Sequence, residues 1–432
     1  MTAPSHSHSY GIETRAVHAG AAPEPITGAR NVPIFQTTSY VFHDADHAAS
    51  LFNLEAEGYI YTRLGNPTVT ALEERVASLE GGSAAVATAS GHSAQLLAFF
   101  TLMGPGDEFV ASSFLYGGSI TQFTHTFPRL GWHGTFVDPR DFDDVRAAIT
   151  PRTRLIFTES LANPGGVVVD LEALAGIAHE AGIPLVVDNT LATPYLWRPF
   201  EWGADIVLHS MTKFFSGHGT SLGGVIVESG KFDWAAGGKF PALTEPDPAY
   251  HGLDFYETFG ETAFCMKTRA VALRDLGPAL SPQNAFYILT GIETLPLRME
   301  RHVANARAVA EFLAGHPAVA WVSYAGLPSS PYRALADRYL PRGAGSVFTF
   351  GLQGGYEAGV RVVESVELWS HLANVGDTRS LIIHPASTTH RQLTDEQREA
   401  AGAGNDVIRL SVGIETAADL IADLDQALRP VV

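Results

Sequence analysis

The chain has 432 residues, 46% of them hydrophobic and 17% charged, with a formal net charge of −18. That length supports two or three cores, and that apolar share excludes a disordered chain. The acidic balance argues against nucleic acid and anionic membranes as partners, and a single cysteine, Cys265, excludes an intrachain disulfide.

The first ten residues lack a basic start and an apolar run, so they do not read as a signal peptide. No window reaches the length of a membrane span. The expectation is a soluble, cytoplasmic protein. His6 and His8 read as a polar tail rather than a metal site. Residues 11–65 mix turn residues and aromatics, with 32–40 extended. The stretch around 59–68 reads as an arm of the kind that serves a neighbouring subunit. Val69, Leu72, Val76 and Leu79 then recur at helical spacing, and Gly81 and Gly82 stop that helix.

Short apolar strands follow at 84–89, 108–112, 134–137, 155–158, 184–188, 205–208 and 223–227. Helices are predicted between them at 94–103, 142–149 and 171–181. This alternation predicts an α/β fold whose mostly parallel sheet is covered on both faces and binds ligands at the carboxyl ends of its strands. Residues 230–260 are irregular, and helices are predicted over 261–276, 282–289 and 298–313. Beyond about residue 320 the pattern turns to a smaller α+β domain that ends in a helix over 416–428. The expected division is an arm over 1–67, an α/β domain over 68–275 and a C-terminal α+β domain over 276–432.

Six positions at or near strand ends could carry chemistry, and each has a plainer reading. Lys213 follows an apolar strand, between the hydroxyls of Ser210 and Thr212. Burial lowers the pKa of such an amine and suits it to a Schiff base; otherwise it is a surface lysine. Ser90, Gly91 and His92 open a helix directly after a strand, an anion site suited to phosphate, or an ordinary cap by Ser90. Asp188 ends a buried strand and needs a partner such as a protonated ring nitrogen, or else it caps a helix or pairs with an arginine. Asn163 precedes a proline and can bind a ring hydroxyl or a carboxylate, or simply shape a turn. Tyr116 could stack on a flat cofactor or sit in the core. Arg409 interrupts an apolar strand and must meet an anion, either a substrate carboxylate or an internal acid. Cys265, in an apolar helical context, reads as core packing. The combination describes a pyridoxal phosphate site, whose ring is an electron sink, with no metal.

These residues resemble a known family. The chain is similar, from about residue 18 to its last helix, to the cystathionine γ-synthase-like, Cys/Met-metabolism family of fold-type I pyridoxal-phosphate enzymes. The motifs are Tyr61-Thr-Arg-Leu-Gly-Asn-Pro-Thr68, Ala89-Ser-Gly91, Leu115-Tyr-Gly-Gly118, Glu159-Ser-Leu-Ala-Asn-Pro164, Asp188-Asn-Thr190 and Ser210-Met-Thr-Lys213. Ser216-Gly-His-Gly-Thr-Ser-Leu-Gly-Gly224, His384-Pro-Ala-Ser-Thr-Thr-His-Arg-Gln-Leu393 and the long 230–300 region point to its O-acetylhomoserine sulfhydrylase branch.

The resemblance implies γ-replacement on O-acetylhomoserine by sulfide or methanethiol, giving homocysteine or methionine, in methionine biosynthesis. It implies that Lys213 carries the cofactor and moves protons, Asp188 holds the ring nitrogen and Tyr116 stacks on the ring. Ser90, Gly91, His92, Ser210, Thr212 and Thr190 would bind the cofactor; His92 departs from the more usual Gln or Met. Tyr61 and Arg63 would reach a neighbouring subunit's phosphate, Tyr61 its substrate as well, within a homotetramer. Asn163 would touch the ring or the substrate, and Arg409 with Ser380 the substrate carboxylate. The alternatives are an O-succinylhomoserine sulfhydrylase, a cystathionine γ-synthase or a methionine γ-lyase; the lyase reading is weakened by the lack of a cysteine near Tyr116.

Overall fold

The computed structural model describes residues 10–163, 166–389, 391, 394, 398 and 402–431. His6, His8, Pro164, His390, Gln392 and Leu393 of the sequence reading lie outside the described residues. No helix among the described residues is long and apolar enough to cross a membrane.

Helix α1 (Ile12–His18) buries Ile12, Arg15 and Ala16. Its seven residues make two turns, too few for a periodic signal, so the sequence showed only irregular chain there. Helix α2 (Ala45–Phe52) is capped by Asp44, whose side chain accepts from the His47 amide. Helix α3 (Pro67–Glu80) starts at Asn66, with proline in its first turn, and ends on Gly81 at φ 81°. These are the residue types each end requires. Helix α1 packs against α3 of its own chain.

Seven strands form the larger sheet: β1 (Ala84–Thr88), β2 (Glu108–Ser112), β3 (His133–Val137), β4 (Thr153–Glu159), β5 (Leu185–Asp188), β6 (Ile206–Ser210) and β7 (Gly224–Glu228). Their order is β1-β7-β6-β5-β4-β2-β3. Strands β2 to β6 pair in parallel, whereas β7 runs antiparallel to both neighbours, β1 and β6. All strands but β7 therefore point the same way, and their carboxyl ends share one edge. The link from β6 to β7 closes on itself, with Ser210 opposite Gly224.

Side chains alternate between two cores, as the strand period demands. Val86, Phe109, Phe157, Val186 and Leu208 pack on one face, under helix α4 (Gly91–Leu102). Ala87, Val110, Ile156, Val187 and Val207 pack on the other, with α3 and α7 (Leu171–Glu180). Between α4 and α7 lie α5 (Gly117–Thr121) and α6 (Phe142–Ala148), and α8 (Thr193–Leu196) follows β5. The helix expected over 261–276 is interrupted: α-helix Ala263–Lys267 passes into a π-helical stretch, Thr268–Leu273. Within that stretch Thr268 meets Thr101 of α4 at 2.9 Å.

A second sheet holds β8 (Val319–Ser323), β9 (Val347–Leu352), β10 (Ser370–His371), β11 (Leu381–Ile383) and β12 (Val407–Ser411), in the order β10-β11-β12-β9-β8. Helix Leu295–Ala314 packs on β8, Gly355–Ser365 on β9, and Ala417–Leu428 touches both helices.

Candidate functional site

Because their strands point one way, the residues that follow β1, β2, β4, β5 and β6 arrive at one edge. There Ser90, Gly91, His92, Tyr116, Asn163, Asp188, Thr190, Ser210, Thr212 and Lys213 line a cavity of about 260 Å³, and Arg409 enters from β12.

One wall is the start of α4. Ser90 caps it by accepting from the Ser93 amide at 3.2 Å. First-turn amides have no intrahelical acceptor, so those of Gly91 and His92 are left for an anion. Gly91 is required by space: a Cβ there would stand 2.8 Å from the Ser210 Cβ. Thr190 Oγ1 accepts from the Ser210 amide at 2.8 Å, which ties the β5 and β6 ends together. Thr212 Oγ1 accepts from the Gly223 amide at 3.2 Å and closes the β6–β7 link. The Tyr116 ring is half exposed and stacks near His92, with centroids 5.9 Å apart and planes at 26°. Burial lowers the His92 pKa, so its ring is neutral near pH 7.

The floor holds two carboxylates. Asp188 and Glu159 are register partners of β5 and β4. Both side chains fall on the α4 face, with Val186 and Phe157. Glu159 accepts from the Tyr116 amide at 2.6 Å and from the Asn163 amide at 3.0 Å, so it sets both residues. Asp188 accepts from the Thr190 amide at 2.9 Å and has no ion pair among the described residues. Burial pushes both acids up. An incoming cation at Asp188 would bring it down again. His209, one residue before Ser210, faces the opposite way and meets Glu80 at 2.5 Å in the other core.

The amine of Lys213 is opposite. Its Nζ donates to Asn374 Oδ1 at 2.6 Å. Burial, then the nearby charge of Arg409, lowers its pKa to about 8. The backbone around it is held from outside, since Arg298 Nη1 donates to the Phe214 carbonyl at 2.8 Å. Arg409 donates to Asn163 Oδ1 and to the Asn374 carbonyl, each at 3.3 Å. It has no carboxylate partner among the described residues, and burial lowers its pKa to about 10. A desolvated guanidinium held only by neutral oxygens is a receptor for a carboxylate.

Three residues of the sequence reading are not in this cavity. Ser380 is fully buried; its hydroxyl donates to Glu415 at 2.9 Å and accepts from the Gly413 amide at 2.8 Å. With both capacities used, it does not present its hydroxyl to a substrate here. Tyr61 and Arg63 are exposed on the surface, the Arg63 guanidinium 5.5 Å from the Tyr61 ring centre. Several cavity residues escaped the sequence reading, Glu159 and Asn374 among them. Glu159 carried the same signal as Asp188, an acid closing an apolar strand. Asn374 lies in a loop with no periodic or motif signal.

The set fits one kind of group: a flat ring with an aldehyde for Lys213, a basic nitrogen for Asp188 and a phosphate for the α4 terminus. No group of three or more metal-ligating side chains occurs among the described residues.

Comparison with known proteins agrees. The family profile described as "Cys/Met metabolism PLP-dependent enzyme" matches residues 13–429. The chain is 51% identical to an O-acetyl-L-homoserine sulfhydrylase of Leptospira meyeri, over 97% of each chain. It is 51% identical to a homocysteine synthase of Schizosaccharomyces pombe, over 96% of this chain and 98% of the other. A solved Campylobacter jejuni structure carrying N'-pyridoxyl-lysine-5'-monophosphate superposes with a TM-score of 0.94 at 40% identity, covering 97% of this chain and 100% of that one.

Proposed function

Because the chain belongs to the Cys/Met metabolism PLP-dependent enzyme family, we propose that it exchanges the acetoxy group of O-acetyl-L-homoserine for sulfide or methanethiol. The products are L-homocysteine or methionine, and acetate. The observation that carries this reading is a buried amine, Lys213, facing a carboxylate receptor, Arg409, in a chain half identical to enzymes named for that substrate and product.

Bound here, pyridoxal phosphate supplies an electron sink for charge that develops on substrate carbons. The protein's share is placement and proton transfer. Lys213 would hold the cofactor covalently through Nζ. Asp188 would keep a proton on the ring nitrogen, and Tyr116 would cover the ring. Gly91, His92, Ser210 and Thr212 would take the phosphate, with Ser90 and Thr190 fixing their positions. Arg409 and Asn163 would orient the substrate carboxylate, with Ser380 acting only through the chain it braces. Lys213, once released, would take a proton from Cα and then from Cβ, along one face of the substrate. Acetate then leaves Cγ and the sulfur nucleophile takes its place.

The phosphate site is completed by Tyr61 and Arg63 of a second copy, within a homotetramer of two such dimers. The support is that both lie exposed outside their own chain's cavity, and that Tyr61 is bridged to Ser39, two residues before the exposed Val41. A cytoplasmic location fits the buried, unpaired Cys265. A substrate panel tests the activity: O-acetyl-, O-succinyl- and O-phosphohomoserine against sulfide, methanethiol and cysteine. The expected result is fastest release of homocysteine from O-acetylhomoserine and sulfide. Rapid breakdown of methionine without a nucleophile, or a clear preference for the succinyl ester, would refute it.

A further inference from the structure

A second cavity, of about 460 Å³, lies between the start of α1, the segment 194–202 that begins in α8, and residues 338–342. It shares no lining residue with the Lys213 cavity. Its volume is that of a small-molecule site.

Its chemistry is unusual for this chain. Arg15, Arg198, Arg338 and Arg342 line it, against one carboxylate, Glu201. The chain as a whole carries a net −18, so this concentration of positive charge runs against the molecule's balance. Arg338 and Arg198 are neutralised, by Glu172 and Glu201. Arg342 has no close ion pair: it stands 3.9 Å from Glu13, donates to the Tyr195 carbonyl at 3.2 Å and lies over the Tyr195 ring at 4.5 Å.

Arg15 is the exception. It is only 7% exposed and has no ion pair among the described residues. One Nη donates to the Ser78 carbonyl. Its Nε is buried with no acceptor among the described residues. The other Nη has no hydrogen-bond partner among the described residues and is not sealed from solvent. In the same wall the indole nitrogen of Trp197 is a second buried donor with no acceptor. Burial, then the charge of Arg198, lowers the Arg15 pKa. Glu201 and Glu13 act on Arg15 only at a distance and less strongly than burial does, so the guanidinium is incompletely compensated, and both unsatisfied groups are donors. Of these donors, the open Nη of Arg15 is the one that a negatively charged acceptor in the cavity can reach. The Trp202 ring, partly exposed at the same wall, has the Arg338 guanidinium 5.1 Å from its centre and Tyr339 packed at right angles to it, and its remaining exposed part is apolar surface in the cavity.

We infer that this cavity binds a small organic anion, a carboxylate or phosphate joined to a flat apolar body, held by Arg15 and Arg342 with its body against Trp202. The inference stands apart from the proposed activity, since the two cavities are lined by different residues. They are nonetheless joined: Asn189, next to Asp188, donates to the Trp197 carbonyl at 2.8 Å.

The test is calorimetric titration of the holoenzyme with benzoate and with phenyl phosphate, at constant ionic strength. The two probes separate a carboxylate ligand from a phosphate one. Saturable binding of at least one, at one site per chain, is expected. It should weaken about tenfold or more in Arg15→Gln, the effect of losing one charged hydrogen bond in a desolvated site. Arg342→Ala, at a half-exposed side chain, should weaken it similarly. Arg409→Ala should leave it unchanged, which separates this site from the substrate cavity. Absence of saturable binding of both probes overturns the inference. So does binding that is lost in Arg409→Ala, or binding that is kept in both Arg15→Gln and Arg342→Ala.

Discussion

Lys213 reaches the cavity with one neutral acceptor, Asn374, and under the charge of Arg409. Both burial and that charge disfavour the ammonium, which lowers its pKa from 10.5 to about 8. The unfolded chain therefore binds more protons here between about pH 8 and 10.5, so the cofactor-free fold gains stability as pH rises through that window. The same shift frees the nucleophile. The rate at which cofactor-free protein takes up pyridoxal phosphate, followed by absorbance, should rise with pH around a midpoint near 8. A midpoint near 10 would mean the amine is not desolvated. Lys213 and Asp188 were legible in the sequence because a polar group closing an apolar strand has few other fates. Glu159 was legible by the same rule and was passed over. Asn374 was not, since a loop amide has no pattern that marks it.

The elements that place these residues were mostly readable, since six of the seven strands are apolar runs separated by turn residues. The reversal of β7 was the main feature missed. A parallel crossover needs a dozen or more residues, usually with a helix, to return across the sheet. The link from β6 to β7 carries turns and no helix, and it folds back. That fold-back is why Ser210 and the start of α4 face each other so closely. Gly91→Ala would force them apart, because its Cβ would meet the Ser210 side chain. Affinity for pyridoxal phosphate should fall about tenfold or more, the effect of losing one good charge-assisted contact. Far-ultraviolet circular dichroism should not change. Unaltered affinity would count against α4 as the phosphate cradle.

At the scale of the molecule, the α/β sheet offers one complete edge, yet the surface residues Tyr61 and Arg63 have no role within their own chain's cavity. If a second copy uses them, defects on different chains should complement. Arg63→Ala and Lys213→Ala, each inactive or nearly so, would form mixed dimers in which one of the two sites has both residues. Random exchange should then restore roughly a quarter of the native activity per site. A mixture no more active than its components would place each site within one chain. Sequence could suggest this sharing only through resemblance, because an arm that packs on another chain has no core of its own to reveal by periodicity. Helix α1 limits the idea, since it packs on its own α3.

The antiparallel return of β7 also decides what can move. The β6–β7 link is pinned at both ends by Ser210 and Gly224, and in its middle by Arg298. Its closure entropy is met by sheet pairing and not by the ligand. The Lys213 backbone is thus a fixed pivot, and the travel open to the amine is rotation about the bonds of its own side chain. Such rotations need no opening of a lid or domain. The radius of that side chain then sets how far along a substrate a proton can be carried.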